Sequence, residues 1–143
     1  MAGDWPIYLK NISFAYPNGR TIFDNFCFDF GSGQRTGLVG SNGSGKTTLL
    51  QLVMGLLKPN AGTVDLFGQT CRSEKEFREA RLKIGFVFQD ANDQLFCPTV
   101  GDDLAFGPLN MGKTREEVDQ IVDETLKSLN LESFKDRVPT GFQ

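Results

Sequence analysis

A chain of 143 residues, 39% hydrophobic and 23% charged, has the material for one ordinary soluble domain and not for two. Fifteen basic residues against eighteen acidic ones give a net charge of −3 with no basic block, which removes the electrostatic footprint of a nucleic-acid binder. The sequence has no histidine, so metal clusters and Ser/His or Cys/His catalysis are excluded, and any chemistry must run on carboxylates, amides or a nucleotide-bound ion.

The amino terminus, Met1-Ala2-Gly3-Asp4-Trp5-Pro6, carries no basic n-region and no long apolar stretch, so no secretory signal is expected. No run approaches the roughly 18 apolar residues that span a bilayer. Cys27, Cys71 and Cys97 are odd in number, far apart and without a C-x-x-C pairing, which points to reduced thiols in a cytosol.

Ile12, Phe14 and Tyr16 alternate with polar or small residues, and Phe26, Phe28 and Phe30 do the same after the turn Pro17-Asn18-Gly19-Arg20; the pattern predicts an antiparallel hairpin. Ile7 and Leu9 are out of phase with Ile12 and Phe14, so a bulge near Lys10 and Asn11 is needed to restore the face. After a turn at Gly31-Ser32-Gly33-Gln34, residues Thr36 to Val39 read as a short strand.

That strand leads into Gly40-Ser41-Asn42-Gly43-Ser44-Gly45-Lys46-Thr47, which fits the G-x-x-x-x-G-K-[ST] phosphate-binding loop at every fixed position. Glycines let successive main-chain N–H groups curl around phosphate oxygens, and the following helix adds unpaired donors and partial positive charge. Lys46 supplies a mobile charge for the β and γ phosphates. Thr47 offers a hydroxyl to Mg²⁺, and Thr48 is counted in the same site. The loop by itself implies a nucleotide and magnesium as ligands.

A helix is expected from Lys46, because Leu49, Leu52, Val53 and Leu56 fall on one face. Thr63 to Phe67 reads as a strand and Gly68 to Cys71 as a turn. Ser73 with Glu76 forms a capping box that opens a short charged helix. Ile84-Gly85-Phe86-Val87-Phe88 has the length and continuous apolarity of a strand buried on both faces, ending at Gln89. Thr99 with Asp102 suggests a further helix start, and Thr114 with Glu117 another capping box, followed by Val118, Ile121, Val122, Leu126 and Leu129 on one face.

Tyr16, the phosphate loop, Gln89 and the segment after it, in this order and spacing, resemble the ATP-binding subunit of ABC transporters. The finer match is to the energy-coupling-factor type, the ATPases of cobalt, nickel and vitamin uptake. It rests on Phe88-Gln89-Asp90-Ala91-Asn92-Asp93-Gln94-Leu95-Phe96, Pro98-Thr99-Val100 and Ala105-Phe106-Gly107-Pro108-Leu109-Asn110-Met111-Gly112. The resemblance implies that Tyr16 stacks on adenine, a contact worth about 1 to 3 kcal/mol per base. It implies that Gln89 ligates Mg²⁺ or orients the attacking water, so that Gln89 and Lys46 are the catalytic candidates. Phe96, Phe106, Pro108 and Met111 fit either a cleft that receives a helix of a membrane subunit or the core of a helical subdomain.

The family's L-S-G-G-Q signature, expected soon after Asp136-Arg137-Val138-Pro139, finds only the faint echo Thr140-Gly141-Phe142-Gln143. The single Asp-Glu pair, Asp123-Glu124, falls on an amphipathic helical pattern instead of closing an apolar strand, and the switch histidine is missing. The expectation is a P-loop NTPase core of α/β class, with an antiparallel β part over residues 1–34, the phosphate-loop core over 35–89, and the Gln89 loop with the start of a helical subdomain over 90–143. The carboxy-terminal part of the family fold is expected to be absent, through truncation before the signature, leaving the isolated chain poorly stable and nearly inactive. The implied partners are a transmembrane transporter subunit and a second ATPase subunit, identical or related, at the cytoplasmic face of the membrane, with no nucleic acid. A non-catalytic nucleotide-binding fragment and a soluble, non-transport ABC ATPase remain as alternatives.

Overall fold

The computed structural model describes residues 6–90 and 94–139, so Ala91-Asn92-Asp93 of the segment after Gln89 and the echo Thr140-Gly141-Phe142-Gln143 lie outside the described residues. The chain forms two compact units, one reaching to Gly85 and the other starting at Phe86, where its length suggested a single domain. Each unit closes around its own apolar cluster, which is why one boundary suffices to divide them.

The first unit is built on an antiparallel sheet. β1 (Ile7–Ala15) and β2 (Thr21–Phe30) form the expected hairpin, with Ile7 opposite Phe30 and Ala15 opposite Thr21. The predicted bulge is present: the register slips between Leu9 and Ile12, and Asn11 takes a φ of 52°. The Asn11 main-chain N–H donates to Cys27 Sγ at 3.3 Å, and the Cys27 thiol donates to Asn11 Oδ1 at 3.2 Å, so the extra residue keeps its polar groups satisfied. Leu9, Ile12 and Phe14 consequently share one buried face.

β3 (Ala61–Leu66) pairs with the other edge of β1, and β4 (Gln69–Cys71) extends the sheet to the order β2-β1-β3-β4. The sheet thus crosses the expected division at residue 34. The turn expected over Gly68 to Cys71 is instead confined to Phe67 and Gly68, both at positive φ (51° and 80°), as a two-residue hairpin of the primed type requires; the residues after it return as β4.

α1 (Lys46–Val53) lays Leu49, Leu52 and Val53 on the sheet's apolar face, joined by Phe77 and Ala80 of α2 (Glu74–Arg81). Burying side chains such as Leu9, Leu52 and Leu66 stabilises the unit by about 1.5 to 3 kcal/mol apiece. Leu56, expected on the buried helical face, is exposed, because α1 stops at Val53 and Gly55 turns the chain at φ 67°.

Two expected strands do not form. Residues 36–39 and 84–88 carry no sheet pairing, and Val39 is 95% and Val87 80% exposed, against the expectation of a buried strand in the second case. An apolar run becomes a strand only when a neighbouring strand takes up its main-chain N–H and C=O groups, and none among the described residues does so here.

The second unit pairs α3 (Val100–Asn110) with α4 (Arg115–Leu129), followed by a 3₁₀ turn over Glu132–Phe134. Val118, Val122 and Leu126 of α4 pack with Val100, Leu104, Ala105 and Leu131, whereas Leu129, expected on that face, is exposed at the last helical position. Asp123 and Glu124 lie within α4, as the periodicity required: Asp123 Oδ1 accepts from Lys135 Nζ at 2.7 Å and Glu124 Oε1 accepts from Gln120 Nε2 at 2.8 Å.

Both capping boxes are present, Ser73 with Glu76 on α2 and Thr114 with Glu117 on α4, and Thr99 caps α3 through the Asp102 N–H. Hydrogen bonds from the main-chain N–H groups of Arg72 and Ser73, then from the Ser73 hydroxyl, hold the Glu76 carboxyl below its ordinary value of 4.5; the Thr114 N–H and then the Lys113 charge do the same for Glu117. A depressed carboxylate stabilises the folded state above its ordinary value, and that contribution is lost as pH falls through the lower folded value. Helix content followed by circular dichroism should therefore decline as the pH is taken below 4.5. Ser73→Ala and Thr114→Ala should each remove about 1 kcal/mol at neutral pH. Glu76→Gln with Glu117→Gln, which takes away the titrating carboxylates, should flatten the acid response, and an unaltered response in that double variant would contradict the assignment.

Candidate phosphate-loop site

Four helices begin in the described chain, and three of them are closed by a Ser or Thr side chain that accepts from the first turn. α1 is different. Its N-cap is Gly45, at φ 98° in the left-handed region, and no side chain caps it. The first-turn N–H groups are thus left facing the glycine loop, the arrangement that suits an anion. A Cβ at Gly45 would stand 2.6 Å from Ile22 Cγ2 and 3.2 Å from Phe23 Cζ, so that position needs glycine for space, whereas one at Gly40 would meet the rotatable Ser44 hydroxyl at 2.6 Å. Gly43, at φ 78°, stands where glycine is needed for conformation.

Within the loop the Ser44 N–H donates to Ser41 O at 3.2 Å, and Asn42 stands exposed at the outside of this turn. The Lys46 ammonium folds back and donates to Gly40 O at 2.7 Å and Ser41 O at 2.9 Å, which places the cation against the loop's own carbonyls. Thr47 is exposed, whereas Thr48 is only 5% exposed and shares a 2.9 Å hydrogen bond with the Tyr16 hydroxyl. Of Thr48, only main-chain groups are left for a ligand. Tyr16 is half-buried, meeting Phe14 edge to face at 5.0 Å between centroids. The structure therefore brings Tyr16, Gly40 to Gly45, Lys46, Thr47 and Thr48 together in one unit.

Gln89 belongs to the other unit and is exposed. The segment leading to it is clasped by Gln94, whose Oε1 accepts from Phe88 N at 3.0 Å and whose Nε2 donates to Phe86 O at 2.9 Å, as a paired strand would. In the same unit Phe96 and Phe106 meet edge to face at 4.7 Å. Phe96 is 64% exposed, and Phe106 and Met111 are exposed too, so these three are not core; Pro108 is half-buried. The same unit holds an apolar cavity of about 430 Å³, lined by Leu95, Val100, Asp103, Leu104, Leu131 and Phe134.

Two contributors had no sequence signal strong enough to single them out. One is Gln94 as a clasp; the other is Arg20, whose Nη2 donates to Gly43 O at 2.8 Å across the loop. The thiols take no part: burial, then the Glu76 charge, raises Cys71, and burial, then the hydrogen bond with Asp103, raises Cys97, so both stay protonated at neutral pH. The described residues hold no cluster of three or more acidic or cysteine side chains placed to bind a metal, and no helix long and apolar enough to cross a membrane.

The family model described as ABC transporter matches residues 23–142. Among curated relatives, the energy-coupling factor transporter ATP-binding protein EcfA2 of Methanospirillum hungatei is 42% identical over 93% of this chain, and the corresponding EcfA protein of Methanocaldococcus jannaschii is 40% identical over 93%. The solved structure of CbiO1 from Clostridium perfringens, part of the ABC transporter complex CbiONQ, superposes with a TM-score of 0.83 at 32% identity and covers 94% of this chain. The chain spans 34%, 48% and 54% of those three proteins' own lengths.

Proposed function

We propose that this chain, which belongs to the ABC transporter family of ATP-binding proteins, carries the nucleotide-holding part of an energy-coupling-factor type ATPase that drives import of cobalt, nickel or a vitamin. The observation that carries the reading is the uncapped start of α1 beneath a glycine loop with Lys46 at its centre.

In this reading the N–H groups of Gly43 and of Gly45 to Thr48 and the Lys46 ammonium hold the β and γ phosphates, with Ser41, Asn42 and Ser44 shaping the loop around them, the Ser44 N–H being bonded to Ser41 O. Thr47, with an exposed hydroxyl, and Gln89, with an amide that both donates and accepts, are the magnesium ligands; the bound ion offsets phosphate charge. Tyr16 supplies the aromatic surface for adenine, its ring held in place through Thr48. Gln89 lies exposed at the end of a segment without sheet pairing, near the start of the second unit, a position that suits a group that also orients a water molecule for hydrolysis. Hydrolysis takes place between this ATPase and a second ATPase subunit.

The exposed Phe96, Phe106 and Met111 form the surface on which a transmembrane subunit docks, which places the protein at the cytoplasmic face of a membrane. The names of the two Ecf relatives and the complex to which CbiO1 belongs support the choice of transporter type. The test is uptake by proteoliposomes that contain the protein with its membrane subunits, supplied with MgATP and, in turn, labelled cobalt, nickel and a panel of vitamins. ATP-dependent accumulation of one solute is expected, abolished by Phe96→Asp with Phe106→Asp. Hydrolysis with no accumulation of any solute, by protein that stays off the membrane, would favour a soluble ATPase instead.

A further inference from the structure

The turn between β1 and β2 is tied to the phosphate loop at two points. The Tyr16 hydroxyl reaches Thr48 in the first turn of α1, and the Arg20 guanidinium reaches the Gly43 carbonyl in the middle of the loop. Tyr16 and Arg20 are themselves locked together, since the Tyr16 N–H donates to Arg20 O at 3.0 Å and the Gly19 N–H donates to Tyr16 O at 2.9 Å. Asn18 Oδ1 accepts from the Arg20 N–H at 3.1 Å and tightens the same turn. The guanidinium also lies over the Cα of Gly43: a Cβ built there would stand 3.0 Å from Arg20 Nη2. Arg20 thus fills the outer side of the loop at the residue whose φ of 78° sets the loop's curl.

We infer that Arg20 is a positioning residue for nucleotide binding, which holds Gly43 in its left-handed conformation and couples the adenine platform at Tyr16 to the phosphate cradle. The inference rests on the nucleotide site proposed above. An arginine suits the task because its planar fork donates to a carbonyl while its charge, unlike that of a neutral donor, also favours an anion on the inner side of the same peptide. Two cations then act on the loop from opposite sides. Lys46 moves between carbonyls and phosphate, whereas Arg20 stays fixed to Gly43 and keeps the neighbouring N–H groups pointed inward. Preorganisation of this kind acts on phosphate affinity and not on the base, so it discriminates between nucleotides and nucleosides.

The test compares MgATP, MgADP and adenosine as competitors of a fluorescent ATP analogue on the wild-type chain, Arg20→Ala, Arg20→Lys and Lys46→Ala, with melting temperatures taken in parallel. Arg20→Ala should weaken MgATP and MgADP alike by about 3- to 10-fold and leave adenosine unchanged, at an unaltered melting temperature, since Arg20 is exposed. Arg20→Lys should recover most of the loss by donating to the same carbonyl. Undiminished MgATP affinity in Arg20→Ala, alongside a loss in Lys46→Ala, would overturn the positioning role while leaving the site intact. An equal loss for adenosine would overturn it too, by showing that Arg20 only holds the turn. Wild-type protein that binds no MgATP would overturn the site and the positioning role together.

Discussion

Lys46→Ala is expected to weaken MgATP binding by about 100-fold or more while leaving the melting temperature where it was. The two halves of that expectation come from the same geometry. The Lys46 ammonium touches only the carbonyls of Gly40 and Ser41, both on a loop open to solvent, so its loss leaves no buried group unpaired and no cavity. The ligand, by contrast, brings several negative charges to a site whose other donors are neutral amides and one guanidinium on the far side of Gly43. Removing the single movable charge therefore spares the fold and strips the site of its strongest contact. Titration calorimetry with MgATP reads this directly; a loss smaller than about threefold would mean that the ammonium does not leave its carbonyls for phosphate.

The largest effect on stability should come from Gly62→Ala, about 3 kcal/mol or more. Gly62 sits in β3 at φ 93°, where an L residue is strained, and an added Cβ would stand 2.5 Å from the Lys10 carbonyl oxygen and closer still to that of Asn11. These are main-chain atoms of the bulge in the sheet's central strand, so relief requires β1 and β3 to separate. Gly68→Ala is the matching control. Gly68 has a similar φ of 80°, but its Cβ would meet nothing within 4 Å, and the change should cost only about 1 kcal/mol of conformational strain. Denaturant midpoints of the two variants isolate the close approach, and equal losses would show that conformation alone explains Gly62.

What the sequence disclosed was whatever depends on near neighbours. The phase slip between Leu9 and Ile12 announced the bulge, because alternation of faces is a property of adjacent residues. Ser73 with Glu76 and Thr114 with Glu117 announced two helix starts for the same reason, and Val118, Val122 and Leu126 placed Asp123-Glu124 on a helix and not on a catalytic strand. Residues 36–39 and 84–88 misled because apolarity advertises a need for burial without supplying a hydrogen-bonding neighbour. β4 was hidden by its three-residue length and by Phe67, a bulky side chain at a positive φ that turn statistics give to Asn or Gly. In the candidate site, the glycine loop was legible from its spacing alone. Arg20 was not, since an arginine after a turn means nothing until the chain brings Gly43 beneath it. The bond between Tyr16 and Thr48 was equally out of reach, joining residues 32 apart through a hydroxyl whose direction no periodicity encodes.

The bulge also bears on how this strand tolerates change in length. Leu9 and Ile12 face the same way although three positions separate them, because Asn11 is the uncounted residue between. Deleting Asn11 leaves a two-residue spacing, which in a regular strand again puts both side chains on one side. The same deletion between Ile12 and Phe14 would turn one half of the strand inside out. The edge of β1 nearest the bulge is therefore a place where the gene can lose a codon and keep its core, at the expense of the Cys27 contacts and of the reason for glycine at 62.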